Sequence, residues 1–346
     1  MGDVQGRADG PNLGNTGAAI ASYRKSVAMR EALAKLAPAK AGAGDQELSA
    51  LYLRLSGALK VAGKFALAIE YDKRALAIRE RLSAAQPGNL AMIRNLAESY
   101  SSIAIGLTQI GDWAGTLQYR RQALAKYRAL VSGGAHAAED FNGLALAYMR
   151  MGTIFTQQKQ FEEGVQSLQR SMEVAREGLR EFGRNQQLRM TETAALRSLA
   201  NLELERDRPD QAILHFQQVN LIYQQMVSAD PDEFRVSSML ALTYHRLGQA
   251  WLKKKDTGAA LREFTRGLEM RQKLAQKNPA NAGAQGEVAE SCAAMGEIYA
   301  ALKDKPRARE WWGRARETLT QLEQSGRANS ASRAIMTAVN QKLSGL

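Results

Sequence analysis

Residues 244–251 read Tyr244-His245-Arg246-Leu247-Gly248-Gln249-Ala250-Trp251, and Ala260, Phe264 and Gly267 follow shortly after. An aromatic residue, a large aliphatic, a residue with no side chain and a second aromatic fall at offsets 0, 3, 4 and 7. On a helix those offsets form one stripe. The glycine removes bulk where a partner helix can approach. Ala260, Phe264 and Gly267 continue the helical period beyond Lys255, so the segment predicts two helices folded back on each other across a turn there.

The same pattern recurs along the chain. Ser26, Ala75, Ala123, Ser171, Val219, Gly267 and Ala315 are spaced by 49 residues once and then by 48. Seven residues upstream run Ala19, Ala68, Thr116, Gly164, Ala212, Ala260 and Ala308, again nearly all small. The first-helix stripe repeats as Tyr52, Tyr100, Tyr148, Leu196, Tyr244 and Cys292, followed by Leu55, Ile103, Met151, Leu199, Leu247 and Met295. Ser56, Ala104, Gly152, Ala200, Gly248 and Gly296 hold the tiny position, and Leu59, Leu107, Phe155, Glu203, Trp251 and Tyr299 close the stripe. Such self-similarity marks a stack of units, each burying its apolar face against its neighbours.

These residues resemble the tetratricopeptide repeat, whose pattern is aromatic-x2-Leu-Gly-x2-Tyr followed by an alanine, a second aromatic and a further alanine. The resemblance covers essentially the whole chain. It implies an all-α fold, a right-handed α-solenoid of helix pairs with a 48-residue period and a C-terminal capping helix. The family repeat is usually 34 residues, and the extra fourteen amount to roughly two more turns on each helix. Breakers fall between units at Pro38, Pro87-Gly88, Gly133-Gly134, Gly183, Pro231, Pro279 and Gly326, and turns within units at Gly63, Gly111, Lys159, Asp207, Lys255 and Lys303. The expected organisation is a truncated first repeat over 1–44, six complete pairs over 45–328 and a cap over 329–346, with Ile335, Val339 and Leu343 on its apolar side.

The beginning breaks the pattern. Met1-Gly2-Asp3-Val4 matches the middle of a first helix, as in Met151-Gly152-Thr153-Ile154, with the front half missing. A stack that opens halfway through a helix exposes apolar surface. The natural product, or its ancestor, is therefore expected to extend upstream. The segment from Gly2 to Lys25, with its inserted loop rich in Gly, Asn and Pro, is similar to the repeat region that ends certain bacterial receptor-type serine/threonine protein kinases. That resemblance implies a signalling protein whose kinase domain and membrane helix would precede this chain.

No catalytic residue emerges from the sequence. A kinase would need a glycine-rich loop, a strand lysine, His-Arg-Asp and Asp-Phe-Gly. His245-Arg246 is followed by Leu247, and Gly42-Ala43-Gly44 lacks a third glycine. His136 and His215 stand apart in the register, and one cysteine, Cys292, makes neither a disulfide nor a thiolate zinc site, so no metal and no cofactor is expected. Cys292 reads as a buried structural thiol. Without an export signal or a long apolar run the chain as written reads as cytoplasmic; attached to an upstream kinase and membrane helix it would lie outside the cytoplasm.

The net charge is +12. It favours anionic partners. Its even spread, without aromatic-interleaved basic runs, makes nucleic acid the weakest of three readings, behind a protein-interaction module and the kinase tail. No small-molecule substrate is implied. In relatives, the first helix of each pair lines the groove that holds a protein or peptide. Transferring that face gives Arg54, Lys60, Arg150, Gln157, Arg197, Asn201, His245, Arg246, Gln249 and Lys253 as partner-binding candidates, with Glu290 and Glu297 turning the far end acidic. Arg197, Asn201 and Arg246 resemble part of the clamp by which some relatives hold a peptide's carboxylate, and an acidic partner would suit it. A second basic line, Lys25, Arg74, Arg170, Arg266 and Arg314, with Arg30, Arg79, Arg128, Arg176 and Arg271 about a turn later, reads either as a solubilising outer face or as a grip on an anionic surface.

Overall fold

The computed structural model describes residues 16–36, 41–133 and 137–345. Among them are fourteen helices and no strand. In chain order these are α1 (Thr16–Leu36), α2 (Ala41–Val61), α3 (Phe65–Ala85), α4 (Leu90–Gln109), α5 (Trp113–Ser132), α6 (Ala138–Gln157) and α7 (Phe161–Phe182). They continue as α8 (Gln186–Glu205), α9 (Pro209–Ala229), α10 (Phe234–Lys253), α11 (Thr257–Lys277), α12 (Ala282–Ala301), α13 (Lys305–Gln324) and α14 (Ser330–Ser344). The chain divides into two compact units, Met1–Glu192 and Thr193–Leu346. In the first, each helix from α1 to α7 packs on the next; in the second, the same holds from α9 to α14, and α14 also touches α12.

One turn closes the hairpins. At Gly63, Gly111, Lys159, Asp207, Lys255 and Lys303 the backbone is left-handed, with φ between 57° and 78°. At Lys255 its own N–H donates to the Leu252 carbonyl at 2.9 Å and the next N–H, of Asp256, reaches back to Trp251 at 3.0 Å. These two bonds satisfy carbonyls that a helix end would leave open, and they recur at all six turns. Asp112, Asp256 and Asp304 then cap the following helix by accepting from Gly115, Ala259 and Arg307. Asn89, Glu233, Asn281 and Asn329 do the same where new pairs or the last helix begin.

The small-residue columns form the seams. Ala68, Ala212, Ala260 and Ala308 are wholly buried, as are Ala75, Ala123, Ser171, Val219 and Ala315. Close approach explains the glycines of the first-helix stripe. A Cβ on Gly248 would lie 2.7 Å from the Phe264 ring, and one on Gly296 would lie 2.5 Å from the Trp312 indole. In the second unit Phe264, Cys292, Met295, Ile298, Trp312 and Val339 share one cluster, with Ile335 and Leu343 packed against it, so α14 covers the α12–α13 pair. In the first, Tyr52, Leu55 and Leu59 pack with α1, and Phe141, Leu144 and Tyr148 with Tyr127 and Val174.

The half-helix match at Met1–Val4, the inserted loop to residue 15 and His136 lie outside the described residues. Gly42 and Gly44 fall within α2, in helix and not in a nucleotide loop. In the second basic line Arg74, Arg170, Arg266 and Arg314 are exposed, whereas the arginines a turn later are not uniformly so. Arg271 is among the largest fully buried side chains, and Arg79 is half-buried.

Candidate functional site

Asp72 of α3 is fully buried in the first unit, and Lys60 of α2 lies beside it at 2.6 Å. The Lys60 ammonium also donates to the Ser102 hydroxyl at 2.7 Å and the Ser102 carbonyl at 3.0 Å, so three donor directions are used within the fold. A second buried acid, Asp140 of α6, accepts a two-pronged bond from Arg94, both contacts at 2.7 Å. The bond holds the Arg94 guanidinium above its ordinary range. Arg54 and Gln157 are exposed on α2 and α6.

Arg150 sits differently. It lines a cleft of about 220 Å³ together with Ser101, Ser102 and Ile105 of α4, Arg120 and Tyr127 of α5, and Gly143 of α6. Arg120 is 5% exposed, and its Nε has no hydrogen-bond partner. Among the described residues no carboxylate pairs with Arg120 or Arg150. Glu98 stands at the rim, more than half exposed, with its carboxylate 4.0 Å from Arg79. Burial, and then the charge of Arg150, pull the Arg120 guanidinium down to about 9. Burial likewise lowers Arg150. At about 9 the Arg120 guanidinium stays protonated at neutral pH. Burial pushes the Tyr127 phenol up to about 12.

A larger cleft of about 350 Å³ in the same unit is lined by Arg79, Asn89 and Asn95. There the guanidinium is occupied, Nη1 donating to the Asn95 carbonyl at 2.6 Å and to Ser99 at 3.0 Å.

In the second unit, Arg197 and Asn201 are half-buried on α8. Arg246 is exposed on α10 and donates to Gln249 at 2.9 Å, and Gln249 in turn meets His245 Nε2 at 3.2 Å. His245 itself is 4% exposed, its ring edge-on to Phe264 with centroids 4.9 Å apart. Burial, then the charge of Arg271, lower the imidazole to about 4, so it is neutral at physiological pH. Lys253 is exposed, with its ammonium 2.7 Å from the Leu204 carbonyl and 3.3 Å from Asp207. That position suits a cation because carbonyls at a helix end carry negative partial charge. Glu290 accepts from Arg271 at 3.0 Å and Glu297 from Lys342 at 2.9 Å.

Arg120 was not singled out by the sequence, yet a signal for it exists. Stepping by 48 from Asp72 gives Arg120, Leu168, Phe216, Phe264 and Trp312. The later repeats place a leucine or an aromatic ring at this second-helix position, and the first two complete pairs place opposite charges there. Asp72 has Lys60; Arg120 has no such acid. Among the described residues no cluster of three or more metal-ligating side chains occurs, and no helix is long and apolar enough to cross a membrane. Cys292 is buried, its thiol raised to about 11 by that burial.

No family model matches the sequence, and no curated protein matches it. Solved structures do match in fold. BtubC (BKLC) from P. vanneervenii aligns at 16% identity over 74% of this chain and 91% of its own, with a TM-score of 0.58. The apo form of RapI aligns at 13% identity over 89% and 93%, with a TM-score of 0.51. A tetratricopeptide repeat protein from Parabacteroides merdae ATCC 43184 aligns at 15% identity over 94% and 93%, with a TM-score of 0.43. Helix hairpins at a 48-residue interval, small residues at their seams and a ring seated on a glycine together give this chain an all-α, tetratricopeptide-like repeat fold.

Proposed function

We propose that the chain is a non-catalytic interaction module that holds a protein or peptide against the faces of its first helices, with basic side chains favouring an acidic partner. The observation that carries this reading is the placement of cations in the first unit. Buried acids there are matched by Lys60 and Arg94, whereas Arg120 and Arg150 face a cleft whose lining acid, Glu98, lies against Arg79 and pairs with neither. Tetratricopeptide-like folds commonly serve as protein-binding scaffolds, and the exposed Arg54, Gln157 and Arg246 widen the candidate surface within each unit. The test is a photo-crosslinking amino acid placed singly at Arg54, Gln157 and Arg246, with Arg121 and Gln217 of the second helices as controls. Protein adducts concentrated at the first-helix positions support the reading. Adducts equal at both sets, or absent from the first, overturn it.

A second reading is favoured by the resemblance of the segment from Gly2 to Lys25 to kinase-linked repeats. In it the same module is the non-catalytic tail of a serine/threonine kinase. The reading frame upstream of Met1 decides: an in-frame kinase domain supports it, and a stop codon removes it.

A further inference from the structure

We propose that the Arg120–Arg150 cleft is an oxyanion subsite that receives a carboxylate or phosphoryl group carried on a side chain of a bound protein segment. The proposal deepens the interaction reading above and rests on it for the source of the anion. Its chemistry rests on the cleft alone.

Arg120 occupies a column where the chain elsewhere packs Leu168, Phe216, Phe264 and Trp312. A leucine or an aromatic there would bury apolar surface and hold no charge. The guanidinium instead loses water, with its Nε unpartnered and a second guanidinium, that of Arg150, close enough to repel it. An unpaired buried charge is a net cost to the folded state, and such violations concentrate where a ligand compensates them. The contrast with the preceding repeat is direct, because there the charge in the same column, Asp72, is matched internally by Lys60.

The surroundings suit one oxyanion. Two guanidinium groups offer several N–H donors in planar forks, which match a carboxylate or a phosphoryl group. Ser101 and the Tyr127 phenol add neutral hydroxyls to the lining, while the Ser102 hydroxyl is engaged by Lys60 and Asp72 and the Glu98 carboxylate leans to Arg79. Gly143 lets the Tyr127 ring lie where it does, since a Cβ on that residue would overlap the ring. A volume of about 220 Å³ admits an acidic or phosphorylated side chain but not a folded domain, so the anion must be presented on an extended side chain.

The test compares the full chain with Arg120→Met, Arg150→Met and the exposed control Arg121→Met. Inorganic phosphate and acetate are titrated against chloride at constant ionic strength, which holds screening fixed. Melting temperature and calorimetry are the readouts. Phosphate should raise the melting temperature of the parent and of Arg121→Met. Arg120→Met should melt above the parent when no anion is added, and should bind phosphate about tenfold or more weakly, the loss expected for one charge-assisted contact. Arg150→Met should weaken phosphate as well. A parent indifferent to both anions, or an Arg120→Met that melts lower and binds phosphate unchanged, overturns the subsite.

Three octapeptides of one sequence, bearing a central glutamate, phosphoserine or glutamine, then identify the source. Binding of either anionic peptide, absent for the glutamine peptide and lost in Arg120→Met, supports a protein side chain as the occupant, and the stronger of the two names its chemistry. Phosphate binding that neither peptide displaces upholds the oxyanion chemistry and overturns the protein source. Crosslinking at Arg54 or Arg246 with no anion effect would uphold the interaction reading and overturn this subsite.

Discussion

Replacing Lys60 by methionine should be among the most damaging single changes in the first unit. The Asp72 carboxylate has no exposed surface, and its neighbours are the Lys60 ammonium at 2.6 Å and the Ser102 hydroxyl at 3.2 Å. Without Lys60, one hydroxyl would face a full buried negative charge, and stranding a partner in this way costs about 3–5 kcal/mol. For a body of the size of Met1–Glu192, that corresponds to a fall of about 10 °C in the melting temperature. The double variant Lys60→Met with Asp72→Leu should recover most of the loss, because Leu168 fills the equivalent position one unit further from Arg120 and packs there fully buried. The coupling energy of the cycle should therefore be large, about 3 kcal/mol. Hydrogen exchange of peptides from α2 to α4 reports the effect locally, independent of how the second unit melts. If Lys60→Met costs less than about 1 kcal/mol, or if the double variant is as unstable as the single losses summed, the buried pair does not work as described.

Other outcomes follow from the second unit. Lys255→Gly, which relieves a left-handed backbone at φ 64°, should stabilise the unit by about 0.5–1 kcal/mol, read as a rise in denaturation midpoint. Gly296→Ala should destabilise it by about 1–3 kcal/mol by forcing the Trp312 indole out of its seat, visible as a red shift in tryptophan emission. His245 is held near 4 in the folded state against about 6.5 unfolded, so the unfolded chain takes the proton first. Stability present above pH 6.5 should fall as pH drops towards 4, by on the order of 3 kcal/mol, and His245→Met should abolish that acid-sensitive part of the melting profile.

The repeat interval, the helix hairpins and their turns were legible because each depends on residue type at a fixed offset. Ala68 and Ala260 are small because a helix crosses there, and Lys255 and Lys303 stand where a hairpin must reverse. The surface was less legible. A charged residue on a first helix reads the same whether it points to solvent or is already engaged. Lys60 turns inward to Asp72 and Lys253 is held by the end of α8, while His245 is enclosed against Phe264. These outcomes depend on the second helix of the same hairpin, for Lys60 and His245, or on the preceding repeat, for Lys253, which spacing within a single helix does not encode. The Arg120 cleft was hidden for a further reason. The motif tracks small and aromatic residues on one stripe, whereas Arg120 is conspicuous only when its column is read through all six copies and found to change character.

The recurring left-handed turn makes the hairpins interchangeable as lengths of chain. Because the backbone reverses within each one through the same two hydrogen bonds, a cut after Lys255 and a splice after Lys303 would join like geometry to like. Whole repeats can thus be lost or duplicated by recombination without creating a new loop. Selection on such a molecule acts on how many hairpins are kept and on which of them carries an Arg120.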